Sequence, residues 1–140
     1  MSIVNTFIAR SIKPCLFIFG LATCAILPIA VDIRFITPML GGVVDYTPSS
    51  VPALRHWGFM VFGIGVLMVV ASFRPWLRFE TMLFCAAEKS FITYLFLSNL
   101  GQPGINGYLP AVVVDSTIAA YSVLYFISDQ GRPQRWVATK

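Results

Sequence analysis

The chain has 140 residues, 57% of them hydrophobic and 11% charged, with a net charge of +4. A soluble domain carries about 25% charged residues, so a water-solvated surface is excluded for much of this chain. Nucleic-acid binding needs clustered cations, whereas here the basic residues stand scattered at the ends of apolar runs.

A helix that crosses the bilayer needs about 20 mostly apolar residues. Four stretches meet that requirement, at about residues 14–31, 53–73, 76–97 and 108–127. The expected fold is an all-α membrane protein, a four-transmembrane-helix bundle forming a single domain over residues 1–140. The first span, from Pro14, has a basic flank like a signal peptide. Its core is long for an h-region and no small-x-small site follows, so it is expected to stay as a helix. Pro28 is expected to kink it. Gly41-Gly42 and Pro48-Ser49-Ser50 mark the long first loop, and Arg74-Pro75 a tight second turn. Asn99 to Gly107 separates the last two spans.

Orientation follows from the flanking cations. Arg10, Lys13, Arg74, Arg78, Arg132, Arg135 and Lys140 fall on one side, against Arg34 and Arg55 on the other. The positive-inside rule places both termini in the cytoplasm. Trp57, Trp76, Tyr108 and Trp136 sit near span ends, as interfacial anchors do.

Small residues let helices approach closely in lipid. Gly20 and Cys24, Gly58 and Gly65, Ala86 and Ser90, and the stripe Ala111, Asp115, Ala119 and Ser122 are expected to face the interior. Gly63 falls on another face of its helix. Cys15, Cys24 and Cys85 form no CxxC pair, so they read as packing residues rather than a redox or metal motif.

Charges at membrane depth cost about 2.5–3.5 kcal/mol each on insertion scales, which makes each one a candidate site. Glu88 and Lys89 occupy the middle of the third span and Asp115 the fourth. At about 1.5 Å rise per residue, Lys89 and Asp115 lie about 18 and 19 Å from the cytoplasmic side. They are therefore expected to pair and to leave Glu88 without a cation at its own level. Glu88, Asp115 and His56, the lone histidine, are the candidate catalytic acid–base groups. Asp32 is the candidate to orient His56. Lys89, Phe84, Phe91 and Tyr94 are the candidate lining of a substrate site. With one histidine and no phosphate or dinucleotide motif, neither a metal nor a cofactor is expected.

Three functions fit these residues. One is acid–base chemistry on a lipophilic small molecule, of an isomerase, cyclase or epoxide-opening kind. A second is a non-catalytic membrane subunit or scaffold that binds a membrane partner or itself and whose buried charges are structural. A third is a small proton-coupled transporter. The chain resembles small multidrug transporters in size and span number. That family's essential glutamate lies in the first helix, where this chain has no acid before Asp32.

Overall fold

The computed structural model describes residues 2–35 and 47–131. Gly41, Gly42, Arg132, Arg135, Trp136 and Lys140 lie outside the described residues. Helix α1 covers Ile3–Cys24 and α2 Leu27–Val31, followed by a 3₁₀ turn at Ile33–Phe35. Helix α3 covers Ser50–Phe73, α4 Arg78–Ser98 and α5 Leu109–Ile127, with 3₁₀ turns leading into α4 and α5. No strand occurs among the described residues.

Helix α1 starts well before Pro14. Ser2 caps it, its hydroxyl accepting from the Asn5 amide at 3.2 Å. Ile8, Ile12 and Leu16, spaced by four, all point into the core. Hydropathy marks only the apolar part of a helix, and this one continues through a polar segment whose inner face is still apolar. The expected kink at Pro28 is a break. A proline ring clashes with the carbonyl four residues earlier. That residue is Cys24, the last of α1. Pro28 itself then sits in the first turn of α2, where its missing N–H costs nothing.

Three segments are long and apolar enough to cross a membrane: Ile3–Val31, Ser50–Phe73 and Ile105–Ile127. Helix α4 is long enough at 21 residues, but it is absent from that group. It carries Arg78, Glu80, Glu88 and Lys89. The expected third span is thus present as a helix, but it is set apart by polarity. Large apolar side chains such as Phe17, Ile18, Phe59, Leu97, Val113 and Ile127 stand exposed around the bundle. So extensive an apolar surface belongs in lipid.

The first hairpin, α1–α2 against α3, is joined by glycine. A Cβ on Gly65 would lie 2.7 Å from the Cys24 amide nitrogen, and one on Gly20 2.9 Å from the Gly65 carbonyl oxygen. Only hydrogen fits at either place. Gly58 meets Ala30 and Ile29 in the same way. Nothing lies within 4 Å of the position a Cβ on Gly63 would take. Arg55 extends this seam, its Nε donating to the Ala30 carbonyl at 2.8 Å. At the other end of α3, the Arg78 guanidinium donates to the Ala71 and Ser72 carbonyls at 3.2 and 3.1 Å. It thereby caps α3 and tightens the turn into α4.

The second hairpin is α4 against α5. One buried cluster ties it to the first and includes Ile12, Leu16, Met68, Met82, Cys85, Ile118 and Tyr121. The α1 start and the α5 finish lie side by side. The Asp129 amide donates to the Asn5 side-chain carbonyl at 3.1 Å, and the Asn5 side-chain amide donates back to the Asp129 carboxylate. The Ser11 and Tyr121 hydroxyls are 2.8 Å apart. The Lys13 ammonium sits 5.3 Å from the centre of the Phe73 ring. The end of α5 therefore lies beside the start of α1, and the end of α3 beside the middle of α1.

Candidate functional site

Helix α4 turns a stripe of residues spaced by four towards α5 and the core: Thr81, Cys85 and Lys89 are buried, and Thr93 is half-buried. The spacing follows from 3.6 residues per turn. Its two hydroxyls have partners suited to a dry interior. The Thr81 hydroxyl donates to the Leu77 carbonyl at 2.6 Å and that of Thr93 to the Lys89 carbonyl at 2.8 Å. The Thr93 and Ser116 hydroxyls lie 3.1 Å apart across the helix pair.

Lys89 is the centre of this stripe. Its side chain is 3% exposed, and its Nζ lies 3.0 Å from Asp115 Oδ1 and 2.9 Å from Glu88 Oε2. The match in depth between Lys89 and Asp115 is thus realised as an ion pair between α4 and α5. The expectation that Glu88 would lack a cation is corrected. Neighbouring residues diverge by about 100° around a helix, but the four-carbon lysine stem is long enough for one ammonium to meet both carboxylates. Glu88 Oε2 is buried and accepts no hydrogen bond, so the ionic contact is all that holds it. Two carboxylates face one ammonium, which leaves one negative charge, or one proton, in excess.

The other candidate residues are placed elsewhere. Phe84, Phe91 and Tyr94 are 52%, 60% and 62% exposed, on the outer face of α4. They flank Glu88 on its exposed side and line no interior chamber with Lys89. His56 is exposed early in α3, far along the bundle from the middle of α4. Asp32 does not orient it. Arg34 takes that carboxylate, its Nε donating at 2.8 Å and its backbone amide at 3.0 Å. These hydrogen bonds hold the Asp32 carboxyl down at about 2. In α5, Asp115 and Ala119 are half-buried and Ser122 is buried, but Ala111 is exposed and Val112 takes the inward position. In α4, Ser90 is exposed, because the inward face is centred on Cys85 and Lys89.

Two cavities are defined. One, of about 640 Å³, is an open hollow on the first turns of α1, lined by Ile3, Thr6, Phe7, Arg10, Ser11 and Pro14. The other, of about 270 Å³, lies between the far ends of α4 and α5, where Ile92, Phe96, Asn99, Tyr108 and Val112 contribute to its wall. Neither is lined by Glu88, Lys89, Asp115 or His56.

No protein family, characterised protein or solved structure matches the chain.

The chemistry available is therefore read from the geometry alone. An ammonium held between two carboxylates in a packed interior has no free lone pair for attack on a substrate. Among the described residues no group of three or more metal-ligating side chains converges. Cys85 and Thr93 were visible in the sequence as residues spaced by four from Lys89, and Ser116 as the residue after Asp115. Reading single charges instead of the whole stripe misses them.

Proposed function

We propose that the protein is a four-span integral membrane subunit or scaffold, non-catalytic, in which Glu88, Lys89 and Asp115 latch α4 to α5. The observation that carries this reading is Lys89, 3% exposed and in ionic contact with both carboxylates at 3.0 Å or less. A buried pair of this kind sets register between elements. It also lets a polar helix remain in lipid, because Lys89 keeps carboxylate contacts inside the protein.

Chain direction supports four spans. Helices α3 and α5 both run against α1: the end of α5 lies beside its start and the end of α3 beside its middle, at Lys13 and Phe17. The chain must therefore return to the far end of the bundle between residues 74 and 108, and α4 is the helix there. Arg10, Lys13, Arg74 and Arg78 lie towards the end where α1 starts, which the positive-inside rule assigns to the cytoplasm. Residues 2 and 131, the first and last described, then face that compartment.

The test is a pair of variants in lipid. Lys89→Met leaves two buried carboxylates without their cation and is expected to lower stability by about 3–5 kcal/mol. Lys89→Met/Asp115→Leu removes one of the two stranded carboxylates and is expected to recover part of that loss. A double variant as unstable as the single one would contradict the latch.

A second reading rests on the 270 Å³ cavity, whose walls at Ile92 and Val112 lie one turn from Lys89 and Asp115. Its apolar lining with Asn99 and Tyr108 at the mouth suits a small lipophilic molecule. Ile92→Trp would fill it and abolish protection of the protein by such a molecule against thermal unfolding. Unchanged protection would exclude this site.

A further inference from the structure

Glu88 sits near the middle of α4 on the boundary between the helix's buried and outer faces. Its Oε2 is buried against Lys89, yet its side chain is 25% exposed. The exposure therefore belongs to the rest of the carboxyl group and its stem. Phe84 lies one turn to one side and Phe91 one turn to the other, with Ala87 exposed between them as a low point. The Phe91 and Tyr94 rings lie nearly parallel, with centroids 6.5 Å apart. Bilayer hydrocarbon has no hydrogen-bond donor or cation to offer such a group.

We propose that this face of α4 docks a transmembrane helix of a partner protein that carries a lysine or arginine at mid-bilayer depth. The proposal rests on the reading of the protein as a membrane subunit. Charge complementarity selects the occupant, since Glu88 and Asp115 share a single cation and a second cation would balance the set. A second copy of this chain does not supply it. Among the described residues the other basic side chains lie off that depth: Arg74 and Arg78 at the turn into α4, Lys13 level with Phe73 beside that turn, Arg10 about one turn further out, Arg34 after α2 and Arg55 early in α3. Polarity agrees with this, because α4 is the long helix that fails the apolarity of a free-standing span. The long helix that fails this criterion is thus the one that bears the half-satisfied acid. Phe84 and Phe91 would flank the incoming cation and add ring-face attraction to the ionic contact.

The probe is an oligoleucine spanning peptide with one central lysine, compared with the same peptide bearing methionine there. Each is titrated by energy transfer against the full chain in phosphatidylcholine vesicles. The lysine peptide is expected to bind about tenfold more tightly, as one interhelical polar contact provides. Glu88→Gln should remove the preference, and Ala87→Phe should weaken binding by filling the low point. Equal binding of the two peptides overturns the proposal, as does a preference that survives in Glu88→Gln. Self-association that Glu88→Gln abolishes, without any preference for lysine, assigns the face to a second copy and also overturns it. Failure of the latch would register separately, as instability of Lys89→Met/Asp115→Leu with no peptide present.

Discussion

The two hairpins of this bundle solve one problem by different means. In α1–α2 against α3, backbones touch at Gly20, Gly58 and Gly65, where a Cβ would meet atoms at 2.7–3.1 Å. In α4 against α5, side chains reach across, through Lys89 to Asp115 at 3.0 Å and Thr93 to Ser116 at 3.1 Å. Lipid provides no hydrophobic drive for helices to associate, so close packing and polar contacts are the two available forces. The first hairpin relies on packing and can be apolar throughout. The second relies on polar contacts and must carry a helix that lipid alone would not accept. Shape holds the first, and compensation of charge holds the second.

Three substitutions break or sharpen this contrast. The largest effect is expected in the second hairpin. Lys89→Met takes the one shared cation from both Glu88 and Asp115, and we expect a loss of about 3–5 kcal/mol, read by steric trapping or denaturant titration in bicelles. In the first hairpin, Gly65→Ala forces a methyl group against Cys24 and the Gly20 carbonyl, with an expected loss of about 1–3 kcal/mol. Gly63→Ala, whose new methyl group meets nothing within 4 Å, is expected to be neutral or slightly stabilising in the same titration.

How far these features could be read from the sequence differs between the hairpins for the same reason. The glycine seam was legible, because Gly20, Gly58 and Gly65 are small wherever they occur and need only the right face. The depth match of Lys89 with Asp115 was legible too, from helical rise alone. The direction of a long side chain was not. That Lys89 reaches back to Glu88 as well as across to Asp115 depends on rotamers, which spacing does not determine. The outward placement of Phe84 and Phe91 was available in principle, since a face centred on Cys85 and Lys89 turns positions 84 and 91 away. Treating aromatic residues as cavity lining passed over that angle. The early start of α1 was hidden because Asn5, Thr6, Arg10 and Lys13 lower hydropathy without ending the helix. His56 and Asp32 lay close in the linear argument, but a two-residue contact from Arg34 intervenes.

The smallest effect lies outside the spans, where the contrast predicts little dependence on charge. Asp32 titrates at about 2 because Arg34 hydrogen-bonds its charged form. The folded value is depressed, so the contribution is present above the ordinary carboxylate range and is lost as pH falls from about 4 to about 2. Arg34→Ala should return the Asp32 midpoint, followed by carboxyl carbon NMR, towards 3.8. Global stability at neutral pH should hardly change, since exposed pairs contribute little.

The central claim is that α4 crosses the bilayer because α5 compensates its charge. It is tested most directly by placing a glycosylation acceptor in the 99–107 turn of the full chain and expressing it with microsomes. The acceptor should be modified in the native sequence, since α4 carries that turn to the far side. Modification should fall when Lys89→Met strands both carboxylates, and should be regained in part in Lys89→Met/Asp115→Leu. An acceptor left unmodified in the native sequence, or modified equally in all three, would contradict the account.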